Sequence, residues 1–148
     1  MRLSPRRFRS LLALPVLLAL SVGTIQLAPH TDAAPALVKV AAGKILKNSA
    51  GHTLYVFAAD SPNKSACYNA CAKFWPPALV PTGTKAPAKM AGIPGTFGVT
   101  MRKDGTQQLT YDRAPLYTFL EDKDSGDAYG QGLVASGGFW WVVVAAGK

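Results

Sequence analysis

The 148-residue chain has two cysteines, Cys67 and Cys71, and two histidines, of which only His52 lies beyond residue 34. A hydrolytic Ser-His-Asp or Cys-His mechanism would have to draw its base from that one imidazole, set beside a turn. A structural zinc site needs four nitrogen or sulfur ligands, and two cysteines with one histidine fall short. Neither C-x-x-C nor C-x-x-C-H occurs, so thioredoxin-type redox and haem attachment are not indicated. No G-x-S-x-G, phosphate-cradling loop or dinucleotide fingerprint appears either. Charged residues make up 16% of the chain. The lysines are scattered and never form a block of five basic residues, so nucleic acid is not an expected partner. Apolar runs long enough to approach a membrane span are absent, apart from one near the N-terminus.

That run, LLALPVLLALSVG, follows the basic start MRLSPRRFRS and precedes the small residues TDAAPA. A positive segment, an apolar stretch of this length and an A-x-A-like site describe a cleaved secretory signal peptide. Pro15 and the modest length disfavour the alternative, a retained membrane anchor. Arg6-Arg7 fits the twin-arginine route poorly, so the general route is preferred. Cleavage is placed after Ala34, with Ala33 and Ala36 as alternatives. Residues 1–34 are then the signal, and residues 35–148 form one β-rich domain of 114 residues. The signal carries away four arginines and Asp32, which lowers the net charge from +8 to +5. A moderately basic surface of this kind suits anionic envelope polymers, and equally suits a secreted protein with no such partner.

Short apolar segments separated by turn residues predict a mainly β, antiparallel fold. VKVAAGKILKNSAGHTLYVF, Val38 to Phe57, reads as two apolar segments around the turn Asn48-Ser49-Ala50-Gly51. The stretch around residues 65–75 predicts one short helical or turn segment, with Ser65 as its cap and Trp75-Pro76-Pro77 as its stop. Residues 78–96, rich in Pro, Gly, Ala and Lys, read as a linker between a first unit, 43–77, and a second, 97–146. Within the second unit, Asp104-Gly105 is a hairpin signal and Asp112-Arg113-Ala114 a turn. Ser136-Gly137-Gly138 turns the chain into a last, well-buried strand.

The two units repeat one phrase, since LYVFAAD at Leu54–Asp60 returns as LYTFLED at Leu116–Asp122. GKILKNSAGHTLYVFAAD with C-x3-C and WPP, and then RKDGTQQLTYDRAPLYTFLED with GDAYGQG and GGFW, resemble the bacterial secreted repeat of predicted lipoproteins with a Y-x-[FWY]-x-x-D motif. Tyr55, Phe57 and Asp60 occupy the signature positions in the first unit, and Tyr117, Phe119 and Asp122 in the second. The resemblance implies a secreted repeat of unknown function, and it supplies no activity. It also implies a lipid anchor, yet the first cysteine is Cys67 and none stands at the cleavage site.

Asp60 and Asp122 each close a strand ahead of turn residues, where a short carboxylate accepts backbone N–H bonds. The alternative is an acid/base or ligand pair brought together by pseudo-symmetry, which would need one carboxylate kept protonated. The structural role is favoured, with the four motif aromatics as core and cross-strand packing. In an oxidising compartment Cys67 and Cys71 are expected to form a disulfide. Residues four apart on a helix have Cβ atoms about 5–6 Å apart, whereas a disulfide wants about 3.5–4.5 Å. A bond would therefore distort or unwind ACYNAC, while an intact helix would present two thiols for redox cycling or for Cu(I). Asp122, Asp124 and Asp127, in an acidic loop with Gly126, form a candidate calcium set. The loop lacks the distal Glu of an EF-hand and includes Lys123, so a solvated loop without cofactor is preferred. Trp75, Trp140, Trp141 and Tyr129 would line an aromatic binding face if exposed, with core burial expected for most.

The reading that results is a secreted or periplasmic bacterial domain that binds or supports an unknown envelope component. It is expected to be non-enzymatic, monomeric and free of a membrane span after cleavage. A thiol-dependent redox or copper-handling protein built on Cys67 and Cys71 is the alternative.

Overall fold

The backbone of VKVAAGKIL cannot stay extended, because Gly43 and Lys44 both take positive φ, 68° and 62°. Glycine enters that region without steric cost, so it seeds a turn that its neighbour then follows. The expected single apolar segment is therefore already a hairpin. β1 (Val38–Val40) and β2 (Leu46–Asn48) pair antiparallel, Val38 opposite Asn48 and Val40 opposite Leu46. The computed structural model describes residues 37–145, and the expected signal segment 1–34 lies outside them. After β2 the Asn48 side chain and carbonyl accept the His52 and Gly51 amides at 2.9 and 3.0 Å, closing the predicted turn. The chain then enters β3 (Tyr55–Phe57).

The helix is shorter than expected. α1 spans only Ala70–Phe74, and its N-terminal flank is Asn69 at φ 53° with no side-chain cap. Ser65 does not cap it, because its hydroxyl is taken by Tyr117 and Arg102. Residues 78–96, expected as a linker, hold β4 (Leu79–Val80) and bury Val80 and Ile93. β5 (Phe97–Met101) and β6 (Gln107–Tyr111) flank Asp104-Gly105, where Asp104 accepts the Thr106 amide at 3.1 Å and hydroxyl at 2.6 Å. Asp112 and Arg113 both have positive φ, the backbone of a two-residue hairpin turn, and lead into β7 (Ala114–Pro115). β8 (Val134–Ala135) turns through Ser136 and Gly137 onto β9 (Gly138–Val142).

The pairing of these strands interlocks the repeats. Tyr55 and Tyr117, the same position in each copy, face one another and exchange both backbone bonds, at 2.8 and 3.0 Å. Equivalent residues paired in this way put a local two-fold axis between them. Across it the last strand of each copy joins the other. β9 pairs with β3, Tyr55 opposite Val142 and Phe57 opposite Trp140. In return, Pro76 and Ala78 of the first copy bond Thr118, Leu116 and Leu109 of the second, each at 2.8 Å, and β4 pairs with β6. Alternation along a strand sends neighbours to opposite faces, so the Leu-Tyr dipeptide feeds two cores. Leu54 and Leu116 pack with Leu46, Leu109 and Val143 on one face, while Tyr55 and Tyr117 pack with Phe57, Trp75 and Trp140 on the other.

Candidate functional site

Two signature aromatics, Phe57 and Phe119, bracket Trp140 and Trp75 in a four-ring stack at the centre of the second core. Phe57 lies on Trp140 at 4.2 Å, Trp140 on Trp75 at 3.9 Å and 1°, and Trp75 on Phe119 at 4.2 Å. Tyr55 meets Trp75 edge-on at 5.4 Å, and Tyr117 meets Trp140 edge-on at 5.1 Å. The contacts of one copy are thus repeated by the other. Edge-on pairs are favourable arrangements of ring quadrupoles, and the buried area of each ring adds to them.

Burial of the tyrosine rings fixes where their hydroxyls end. Tyr55 Oη donates to Asp122 Oδ2 at 2.7 Å, and Tyr117 Oη donates to Asp60 Oδ2 at 2.8 Å. The second oxygen of each carboxylate accepts a backbone amide, Ala66 at 2.7 Å for Asp60 and Tyr129 at 3.0 Å for Asp122. Every signature aspartate therefore holds its own turn and the other copy's tyrosine together. Local turn chemistry accounts for the amide bonds. The tyrosine partner was missed from sequence, although its signal was present in the unchanged Tyr-to-Asp spacing of both copies. Each carboxylate is hydrogen-bonded to the opposite tyrosine, and the two aspartates are not bonded to one another. Burial raises the Asp60 carboxyl above its usual value, against the opposing pull of the Ala66 amide, Tyr117 and Arg102. Burial and then its bond to the Asp122 carboxylate push the Tyr55 hydroxyl far up, and burial does the same for Tyr117. Neither phenol ionises near neutral pH, so both are fixed donors. Gly130 also donates to Tyr55 Oη at 3.2 Å, and a Cβ on Gly130 would stand 2.7 Å from the Trp75 ring. Only glycine fits there.

A buried cation, Arg102, extends the network on the Asp60 side. Nη1 donates to Ser65 Oγ at 2.9 Å and to Gln108 Oε1 at 2.6 Å, and Nη2 donates to the Cys67 carbonyl at 2.8 Å. The guanidinium lies 4.4 Å from the Tyr68 ring centroid. Since Tyr117 gives its proton to Asp60, the 2.7 Å contact between Ser65 and Tyr117 has Ser65 as donor. Carboxylate, phenol, hydroxyl and guanidinium thus form one continuous chain. Arg102 opens the R-K-D-G hairpin and looks in sequence like an ordinary surface charge; nothing in its spacing signals burial.

Cys67 and Cys71 are joined in a disulfide with Cα atoms 5.3 Å apart. Helix α1 begins at Ala70, so only Cys71 is helical, as the Cβ spacing argument requires of a bonded pair. Both sulfurs are consumed by the bond, and in this state neither is a thiolate that could take Cu(I). In the acidic loop the candidate carboxylates Asp122 and Asp127 are bonded within the chain. Asp122 turns inward to Tyr55, and Asp127 Oδ2 accepts the Lys123 and Asp124 amides at 2.8 Å each. Among the described residues no three His, Cys, Asp or Glu side chains converge. Of the four candidate face aromatics, Trp75 and Trp140 are buried, while Tyr129 and Trp141 are exposed. Trp141 stacks on exposed Phe139 at 5.6 Å.

The family described as a secreted repeat of unknown function matches this chain twice, over residues 36–79 and 98–144. No curated protein and no solved structure matches it. The two matches coincide with the two copies that the local axis relates.

Proposed function

The chain belongs to the secreted-repeat family, and we propose that residues 35–148 work as one non-catalytic, monomeric envelope domain that binds an envelope component. Residues 1–34 act as the cleaved signal, and the mature domain stays in the periplasm or outside the cell without a lipid anchor. Nucleic acid has no place in this reading. Among the described residues no helix is long and apolar enough to cross a membrane.

The observation that carries the binding role is a charge-free stretch of chain with exposed apolar side chains. Ala128 to Gly147 contains no Asp, Glu, Lys or Arg. Within that stretch Leu133, Val134, Phe139 and Trp141 are exposed at 40%, 67%, 48% and 44%. Phe139 and Trp141 lie on one side of β9 by strand alternation, and Val134 sits opposite Phe139 in β8. A contiguous exposed apolar patch on a small secreted domain is a recognition surface in want of a partner. The absence of catalysis is supported by the other core, where every signature phenol and carboxylate is engaged with another part of the chain.

The test is cosedimentation of the purified 35–148 domain with cell-envelope fractions at low and moderate salt. Binding that survives moderate salt and is lost in Phe139→Ala/Trp141→Ala supports an apolar contact. Failure of the unmodified domain to sediment at either salt would refute the proposal.

A further inference from the structure

Going beyond the envelope role, we infer that Cys67–Cys71 is a thiol–disulfide exchange site, entered at Cys71 by the dithiol of a thiol oxidoreductase, with Cys67 as the leaving sulfur. The two sulfurs of this bond have unlike surroundings. Cys67 is 0% exposed and belongs to the aromatic core, whereas Cys71 is partly exposed and lies among exposed Asn69, Ala70 and Lys73. A thiolate approaching from solvent can therefore reach Cys71 and not Cys67. The positive charge of Lys73, two residues away, favours an approaching anion.

The buried half is held in place when the bond opens. The Cys67 carbonyl holds Arg102 Nη2 at 2.8 Å and its amide donates to Ser65 Oγ at 3.2 Å. Burial in the aromatic core favours the neutral thiol, so the departing Cys67 sulfur ends protonated. Cys67 Sγ lies 4.0 Å from the Trp75 carbonyl oxygen. As a disulfide sulfur it has no proton to donate, but a Cys67 thiol would find that acceptor already in place.

The exchange balances in two steps. The first thiolate of the partner bonds Cys71 Sγ, the Cys67–Cys71 bond breaks, and Cys67 leaves with the electron pair and takes a proton from water. The partner's second thiolate then attacks its own sulfur in the mixed disulfide and releases Cys71. The partner dithiol is oxidised to a disulfide and this chain is reduced by two electrons. The consequence reaches the interlock, because the loop that the bond closes is flanked by Ser65, bonded to Tyr117, and by Trp75, in the ring stack.

Reduced glutathione serves as the probe on the folded 35–148 chain at about pH 8, with acid quenching, alkylation of free thiols and fragmentation of the peptide containing both cysteines. Near-UV circular dichroism taken alongside confirms that the fold persists. The expected result is glutathione on Cys71 and the alkyl group on Cys67, in at least ~10-fold excess over the reverse. Glutathione on Cys67, an even distribution, or no adduct while the fold persists would each overturn the assignment. As a second measurement, Ellman's reagent should react at least ~10-fold faster with Cys67→Ser than with Cys71→Ser, both still folded. Equal rates would also overturn it.

Discussion

Removing one hydroxyl from each signature tyrosine should have unequal costs, although the two copies look alike in sequence. In Tyr55→Phe the ring stack is kept, but Asp122, only 5% exposed, loses the donor on Oδ2. The same hydroxyl accepts the Gly130 amide, so that buried donor is orphaned too. A hydrogen bond to a charged group contributes about 1.5–3 kcal/mol, and an unsatisfied buried amide costs about 1–3 kcal/mol. Partial relaxation brings the expected loss for Tyr55→Phe to roughly 2–4 kcal/mol. Tyr117→Phe removes a donor from Asp60, which is less buried and can be rehydrated. The Ser65 hydroxyl that it strands has the Cys67 carbonyl 3.3 Å away as an alternative acceptor. That variant should lose about 1–2 kcal/mol. Urea unfolding followed by tryptophan fluorescence reads both values from the shift in midpoint. A Tyr117→Phe cost equal to or above that of Tyr55→Phe would refute the reasoning, as would a neutral Tyr55→Phe.

Three further outcomes are expected. Gly130→Ala should destabilise by roughly 1–3 kcal/mol through overpacking, since its Cβ would stand 2.7 Å from Trp75 and 2.8 Å from Tyr55; an unchanged urea midpoint would show that the stack yields. The Asp60 carboxyl titrates higher when folded than its ordinary 3.8, so the folded state holds the proton more tightly, and this group's contribution to stability falls as pH rises from that value through the raised one. Unfolding midpoints at about pH 3.5 and 6.5 should therefore show wild type losing ground to Asp60→Asn at the higher pH; no change, or the opposite slope, would contradict the direction. Excess Ca²⁺ or a chelator should leave the melting temperature unchanged, since Asp122 faces the core, and a rise with Ca²⁺ would restore the calcium loop.

What could be read from the sequence was local. Asp104-Gly105 and Asp112-Arg113 form the turns expected of them because turn geometry is settled within a few residues. The disulfide and its effect on ACYNAC also followed from two neighbouring positions and a distance. What could not be read depended on partners far along the chain. Ser65 looks like a helix cap, but Tyr117 and Arg102 offer it buried partners and the helix starts at Ala70. Leu79–Val80 is too short to show a period, and it becomes a strand only because β6 presents an edge to it. The tyrosine and aspartate of the motif were visible, whereas their exchange between copies required the fold. Arg102 carried no signal at all.

The central claim is that the repeated motif interlocks two incomplete units. Its most direct test is to produce residues 35–80 and 81–148 as separate chains and follow each by near-UV circular dichroism, alone and mixed. Neither half should show ordered aromatic signals alone, because each lacks the strand that the other supplies. An equimolar mixture should recover the spectrum of the intact domain as a one-to-one complex. A half that folds alone as a monomer would contradict the interlock.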